Sequence, residues 1–482
     1  MGMSDGPPDQ NLWLTRQTGY WESQLFQTMD HRSNYSIVLN TWITADHIDP
    51  EKMEQAYRAM MYNQPNFRTN VRQDSKGVIY FTPATDFSDV FQFVDQSGEE
   101  EEGRGYAGCW SFAEKLADVP FNLGGECPLN RCVLVKRPDG YSLLNKLHHA
   151  IGDGTTSFRV VNEMMRQYDL LVSGGEVNLE PDKVLPSAME LCEYAKNEEV
   201  VRRMVQRKLD RARNQEIMFP LNHEEIAVSR SHIPHTNRTL HAVGTKEGFS
   251  KLQEICKERF EGSTIGSYCF AVLTMAKAAV YMKKNGYKTV PEGGIPAVYL
   301  DVAANLRTRL EPHPGECFMN CIAMVDIKTT VTENNTLFDL VKNVGDQLRA
   351  AYKDNEAPLY FHCKAEVETG EHSEFFNSVP EGTISEFMTS NQMKFNYPTK
   401  YSWGEIQSLH TIGSIWCPIF SNQILLFQCV GGKMCYSVVC CDGEENMAVA
   451  KEVFDLFVYV IENSDSISSA TGVLDFLNVN VD

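Results

Sequence analysis

RCVLVKRPDGYSLLNKLHHAIGDGTTSFRVVNEMMRQYDLLV, residues 131–172, decides the reading of the fold. Arg131 to Lys136 and Tyr141 to Leu147 are short, apolar, β-rich runs joined by Pro138, Asp139 and Gly140, a combination that predicts two hairpin-linked strands. The second strand runs directly into His148. Beyond Gly154 the apolar period changes: Thr155 to Val172 is spaced as a helix, with Thr155 or Thr156 placed to cap it and Gly174-Gly175 to stop it. Strand, glycine-bearing loop and helix therefore follow one another, and two histidines and an aspartate stand at the junction.

The same alternation extends outward. Ser36 to Ile43 reads as a strand, Pro50 to Asn63 as a helix ending near Gln64-Pro65, and Phe67 to Val71 as extended chain. A charged helix over Asn197 to Asn214 leads into a polar stretch to about His235 that reads as a connection, giving halves at 1–215 and 216–482. The second half predicts strands near Arg238 to Val243, Ala297 to Ala303, Cys321 to Ile327, Ile424 to Val430 and Met434 to Cys440, the last two across a Gly431-Gly432 turn. Helices are predicted at Lys246 to Arg259, Ser263 to Lys284, Leu337 to Lys353 and Glu444 to Asn463. The class is α/β, and no repeat of solenoid or propeller period is visible.

Composition narrows the function. The chain has 482 residues, 43% of them apolar and 22% charged, which suits a globular protein with a large core. A net charge of −20 repels polyphosphate backbones and anionic membrane surfaces, so no nucleic-acid role is expected. The apolar run Ile265 to Met282 contains Ser267 and Lys277 and reads as a buried core helix, so no membrane span is expected. The amino terminus lacks a basic and then apolar leader, Gly6 stands where a myristoylation signal wants Ser or Thr, and the fourteen cysteines show no zinc-ribbon spacing. A cytoplasmic protein with reduced thiols is expected.

Several large enzyme classes fall away. The G-x-G-x-x-G match at Gly103, Gly105 and Gly108 follows four glutamates instead of a strand, and there is no phosphate-binding P-loop, G-x-S-x-G elbow, H-E-x-x-H or EF-hand loop. What remains is HHAIGDG, residues 148–154. Adjacent histidines at a strand end point to opposite sides, so one can face a cavity while the other packs. A near-neutral imidazole suits a general base, and the glycines around Asp153 permit a tight turn. The other readings are a metal site of His148 or His149 with Asp153, which lacks a nearby third ligand, and a purely structural histidine pair bonded to backbone. The basic residues Arg202, Arg203, Arg207, Lys208, Arg211 and Arg213 read as a solvated helix face, with attraction of coenzyme A phosphates as the functional alternative. Met164 and Met165 read as core.

With its neighbours, this motif resembles the HHxxxDG acyltransferase superfamily, which includes condensation domains, alcohol acetyltransferases and polyketide-associated acyltransferases. Asp46 to Arg68 is similar to that family's leading helix and HP-x-LR segment, with Asn66 and Phe67 departing from it. Pro120 to Leu123 and Pro128 to Arg131 resemble its PFDL and P-L-x-R signatures. DVAANLRTRL (Asp301 to Leu310) and GECFMN (Gly315 to Asn320) resemble its arginine-bearing strand and G-x-F-x-N element. The resemblance implies two chloramphenicol-acetyltransferase-like mixed-sheet halves in a pseudo-dimer around a central channel. It implies His149 as general base, with His148, Gly152, Asp153, Gly154 and Arg307 as structural residues of the site and an Asp153–Arg307 pair holding the loop. Ser402, Trp403 and Gly404, an echo of the DFGWG element of the plant branch, are candidates for the substrate channel. The implied activity is O-acyl transfer from an acyl-CoA donor to a small alcohol or lipid hydroxyl, directly and without a serine or cysteine nucleophile. Coenzyme A thioester is substrate, and no cofactor or metal is implied. The alternatives are amide formation on an amine acceptor with a donor held by an acyl carrier protein, and a catalytically silent interaction protein. The chain as given shows no adenylation or carrier segment, which favours free coenzyme A.

Overall fold

The structure, a computed structural model, describes residues 15–27, 36–98, 110–214, 218–219, 237–292, 294–315, 317–371, 373–378, 387–392, 395–413, 423–441 and 444–479. The glycine triplet at 103–108 and most of the connection to His235 lie outside these residues. Two compact α/β units are present: residues 1–194 with 305–322 and 396–414, and residues 195–304 with 323–395 and 415–482. Each contains one six-stranded sheet.

In the first unit the central strands are β1 (Ser36–Thr44), β2 (Asn130–Arg137) and β3 (Gly140–His148), with β1 and β2 both antiparallel to β3. Phe91–Asp95 adds parallel to β2, and β4 (Gly404–Gly413) adds antiparallel to β1, followed by the short Lys400–Tyr401. A separate three-stranded sheet joins Arg16–Gln17, Ile79–Pro83 and Thr69–Gln73. The alternation of β1, β2 and β3 turns Val38, Leu144, Val133 and Val135 to one face, where they meet Trp110, Ala113 and Ala117 of helix α2 (Trp110–Asp118). Helix α1 (Pro50–Asn63) packs against helix α3 (Gly154–Val172); its Tyr57 hydroxyl donates to Asn130, which is the register partner of Leu147 on β3. The helix starts are chemically fixed. Asp49 caps α1 through the amides of Glu51 and Lys52 and donates its own N–H to the Tyr168 hydroxyl on α3, tying the two helices together. Helix α3 is capped by Asp153, not by Thr155 or Thr156, because the aspartate has extended backbone and its Oδ1 accepts from Thr156 N at 2.9 Å. Gly174, at φ +81°, stands where a side chain would be strained and lets the chain turn away. Met164 and Met165 are fully buried.

The second unit orders its strands as Ile322–Thr329, Val298–Asn305, Phe387–Asn391, Gln423–Val430, Lys433–Cys441 and Asn237–Val243, with Phe387–Asn391 parallel to both neighbours. Helix α4 (Glu198–Asn214) sits in this unit, with Met204, Val205 and Leu209 against Leu359, Cys363 and Val367. The division therefore differs from the expected cut at 215: burying the apolar stripe of α4 draws it into the second unit, and pairing with β1 draws Gly404–Gly413 into the first. Of the expected solvated basic face, Arg202, Arg203, Arg207 and Arg213 are exposed, whereas Lys208 and Arg211 are buried. Arg203 pairs with Asp354, Arg207 grips Glu356 in bidentate fashion, Lys208 holds Asp326 at 2.9 Å and Arg211 holds Asp301 at 3.2 Å. These four cations are each paired with a carboxylate. Helix Ile265–Lys284 is long and apolar enough to cross a membrane, but 89% of its most apolar window is buried inside the fold, as a core helix requires.

Candidate active site

The site is assembled within the first unit, where β3 ends. His148, the last residue of β3, is wholly buried: its ring stacks on Phe26 at 4.6 Å and meets Phe121 edge-on at 6.0 Å. Burial, with His149 and Lys146 nearby, pushes its pKa down to about 3, so it is neutral, and its Nδ1 accepts from Ala150 N at 3.2 Å. His149 begins the turn and is partly exposed. Its pKa is lowered by burial, opposed by hydrogen bonds to the backbone of His149 itself and of Gly152 and by the Asp153 charge. The pair thus divides as the strand geometry predicts: one histidine packs, and the other keeps a neutral ring at a partly open position.

Asp153 makes the turn rigid. Arg307 donates to both carboxylate oxygens, Nη1 to Oδ2 at 2.8 Å and Nη2 to Oδ1 at 3.0 Å, while Cys321 N donates to Oδ2 at 2.8 Å. Their side chains are only 3–4% exposed. Burial alone would raise the Asp153 pKa, but the guanidinium charge and these donors prevail and hold it below the usual carboxylate value. Arg307 stands on a short turn past the end of its predicted strand; Asn305 accepts from its amide and its Nη1, and its Nη2 also donates to Thr156 Oγ1 and Met319 O at 2.9 and 2.7 Å. Gly152 has no room for a side chain, since a Cβ there would lie 2.6 Å from Thr156 Cγ2 and 3.3 Å from Leu147 Cδ1. Gly154 is buried as the first residue of α3.

Asn320, which the sequence reading placed in a motif but not in the site, completes the arrangement. Its Nδ2 donates to His149 O at 2.8 Å and lies 3.3 Å from His149 Nδ1. The last residue of GECFMN was the available signal.

Ser402, Trp403 and Gly404 are not brought to the site. Ser402 and Trp403 precede β4 and Gly404 opens it; Glu405 of β4 pairs with Thr44, whereas His148 pairs with Ser36 at the other end of β1. Ser36 and Thr44 are eight positions apart, roughly 26 Å at about 3.3 Å per residue. Trp403 packs edge-on against Tyr168 at 4.7 Å and stacks on Tyr401, and Gly404 abuts Ala45 and Thr44. Sheet register, and not local motif similarity, sets where they stand.

Residues 9–203 match the model of the condensation domain family. The fold is that of condensation domains, a chloramphenicol-acetyltransferase-like fold. The first condensation domain of the calcium-dependent antibiotic synthetase, in complex with a substrate analogue, is similar with a TM-score of 0.68 at 13% identity, over 96% of this chain and 98% of that one. The starter condensation domain of rhizomide synthetase, a doubly substituted form in complex with C8-CoA and Leu-SNAC, gives 0.66 at 13% identity over 98% of each chain. Polyketide synthase associated protein 5 from Mycobacterium tuberculosis gives 0.63 at 15% identity, over 93% of this chain and 98% of that one. No curated protein matches the chain.

Proposed function

We propose that this chain, with its condensation-domain fold, is an acyl-CoA-dependent O-acyltransferase that passes an acyl group from a coenzyme A thioester to the hydroxyl of a small alcohol or lipid, with His149 as general base. The observation that carries the reading is the contrast within the histidine pair: His148 is sealed between Phe26 and Phe121, while His149 is partly exposed on a turn braced by Asp153, Arg307 and Asn320. A ring hydrogen-bonded to backbone carbonyl has its tautomer fixed and keeps the lone pair of its other nitrogen for a proton. In the reaction His149 removes the acceptor's proton, the oxygen attacks the thioester carbonyl, and the tetrahedral intermediate collapses. The carbon–sulfur bond breaks, and the departing thiolate takes the proton back from the imidazolium. Asp153 takes no part in proton transfer, since its oxygens are occupied by Arg307, Thr156 and Cys321. Cys321, buried with its thiol pKa pushed up, is no nucleophile, which suits direct transfer.

The test is thiol release from acetyl- through palmitoyl-CoA in the presence of pooled alcohols and amines. Acceptor-dependent release that falls about 10²–10⁴-fold in His149→Ala supports the proposal. Release with amines alone favours amide formation, the reading that the neighbour holding C8-CoA and Leu-SNAC recommends as second. Activity with carrier-bound donors only moves the donor assignment to a carrier protein, and absence of any His149-dependent release overturns the transferase reading.

A further inference from the structure

Asn320 reaches His149 from a segment that must itself be held in place, and the structure shows what holds it. Met319 O accepts from Arg307 Nη2 and from Thr156 Oγ1, both within 2.9 Å. One residue earlier, both backbone groups of Phe318 are taken by side chains from the turn that ends α1: Phe318 N donates to Gln64 Oε1 at 3.1 Å, and Phe318 O accepts from Asn66 Nδ2 at 2.7 Å. The Phe318 ring meets Phe67 edge-on at 5.3 Å. The turn is itself rigid. Gln64 Nε2 donates to Asp182, Phe67 N to Gln64 O, Thr69 Oγ1 to Asn66 O and Asn130 Nδ2 to Phe67 O, over 2.6 to 2.9 Å.

We propose that Gln64 and Asn66 are positioning residues for the base: they clamp the Phe318 backbone so that Asn320, two residues on, is held against His149. This rests on the reading of His149 as base, but the clamp has a readout of its own. Burial lowers the His149 pKa, and a donor group, Asn320 Nδ2, stands 3.3 Å from its Nδ1, so loosening the segment that carries Asn320 is expected to raise that pKa toward 6.5.

The experiment is an NMR titration of histidine-labelled protein, with the His149 signal assigned by its loss in His149→Ala, for the unaltered chain, Asn66→Ala, Asn320→Ala and the double variant. The expected result is an upward shift in Asn66→Ala and in Asn320→Ala, with no further shift when the two are combined, because Asn66 acts through Asn320. If Asn66→Ala folds poorly, Asn66→Asp keeps the shape and the turn while losing the donor, and the same shift is expected. In the acyl-transfer assay, Asn66→Ala loses about ten- to a hundredfold in kcat with the donor KM unchanged, and the acidic limb of its pH–rate profile moves up with the titration. A His149 titration unmoved in Asn66→Ala and Asn66→Asp, or shifts that add in the double variant, overturns the clamp. Failure of the unaltered protein to transfer acyl groups overturns the function and leaves the titration to judge the clamp.

Discussion

Replacing Asp153 by asparagine keeps the side chain's shape and an oxygen for the Thr156 amide but removes its charge. Arg307 is then left at 3% exposure, facing a neutral group where it had a bidentate partner at 2.8 and 3.0 Å. Breaking a buried pair from one side costs about 3–5 kcal/mol, because the surviving charge is uncompensated. Since domain stability is typically about 5–15 kcal/mol, Asp153→Asn is expected to bring the first unit close to unfolding. Arg307→Met should cost a similar amount, for it strands the carboxylate and takes one donor each from Met319 O and Asn305 Oδ1. In the Asp153→Asn/Arg307→Met double variant neither charge is left alone, so the loss should fall short of the sum of the single losses by at least about 2 kcal/mol. Urea unfolding at pH 7, followed by circular dichroism for the four proteins of this cycle, measures the coupling. The dependence on acid has a defined sign. Asp153 has a depressed pKa in the folded state, so its contribution is fully present above the ordinary carboxylate value of 3.8 and is lost as pH falls through the lower folded value. Asp153→Asn should abolish that part of the acid sensitivity. Losses below about 1 kcal/mol in both single variants, or additive losses in the double, would refute the account of a charge pair that holds the turn.

Other perturbations discriminate around it. Gly152→Ala places a methyl group 2.6 Å from Thr156 Cγ2 and should cost about 1–3 kcal/mol together with much of the activity, read by melting temperature and thiol release. Ser402→Ala, roughly 26 Å from His149 along the sheet, should leave kcat within about twofold, and a larger loss would restore Ser402 to the site. His148 has a folded pKa of about 3 against 6.5 unfolded, so the unfolded chain binds the extra proton between these values, and stability should drop as pH falls from 6.5 toward 3. His148→Phe, which can keep the contacts with Phe26 and Phe121, should remove a slope of up to about 1.4 kcal/mol per pH unit from the stability profile over that range.

The legible part of this protein is the part whose information is local. The hairpin around Pro138 to Gly140, the helix over Pro50 to Asn63 and the helix over Leu337 to Lys353 are written in periodicity and turn residues, and they stand where those patterns place them. The capping of α3 was misjudged because threonine and aspartate both serve as caps, and only the backbone of Asp153 decides between them. Glu356–Thr369 gave no helical signal, since its apolar residues lie all round; a helix buried on most sides has no amphipathic stripe to read. Among the site residues, the pairing of Asp153 with Arg307 was supplied by resemblance, for nothing in 154 residues of separation specifies a contact.

Asn320 and Ser402 show where such resemblance helps and where it fails. Asn320 follows Phe318 and Met319, whose backbone is fixed by Arg307, Thr156, Gln64 and Asn66, so a short motif here implies a position in space. Ser402-Trp403-Gly404 is an equally short match, but what places it is the pairing of Gly404–Gly413 with Ser36–Thr44, and antiparallel register puts the start of one strand beside the end of the other. A three-residue echo carries no register. The functional weight of a motif in this fold therefore depends on whether buried hydrogen bonds join it to the histidine turn, and by that criterion Asn320 stands within the site and Ser402 outside it.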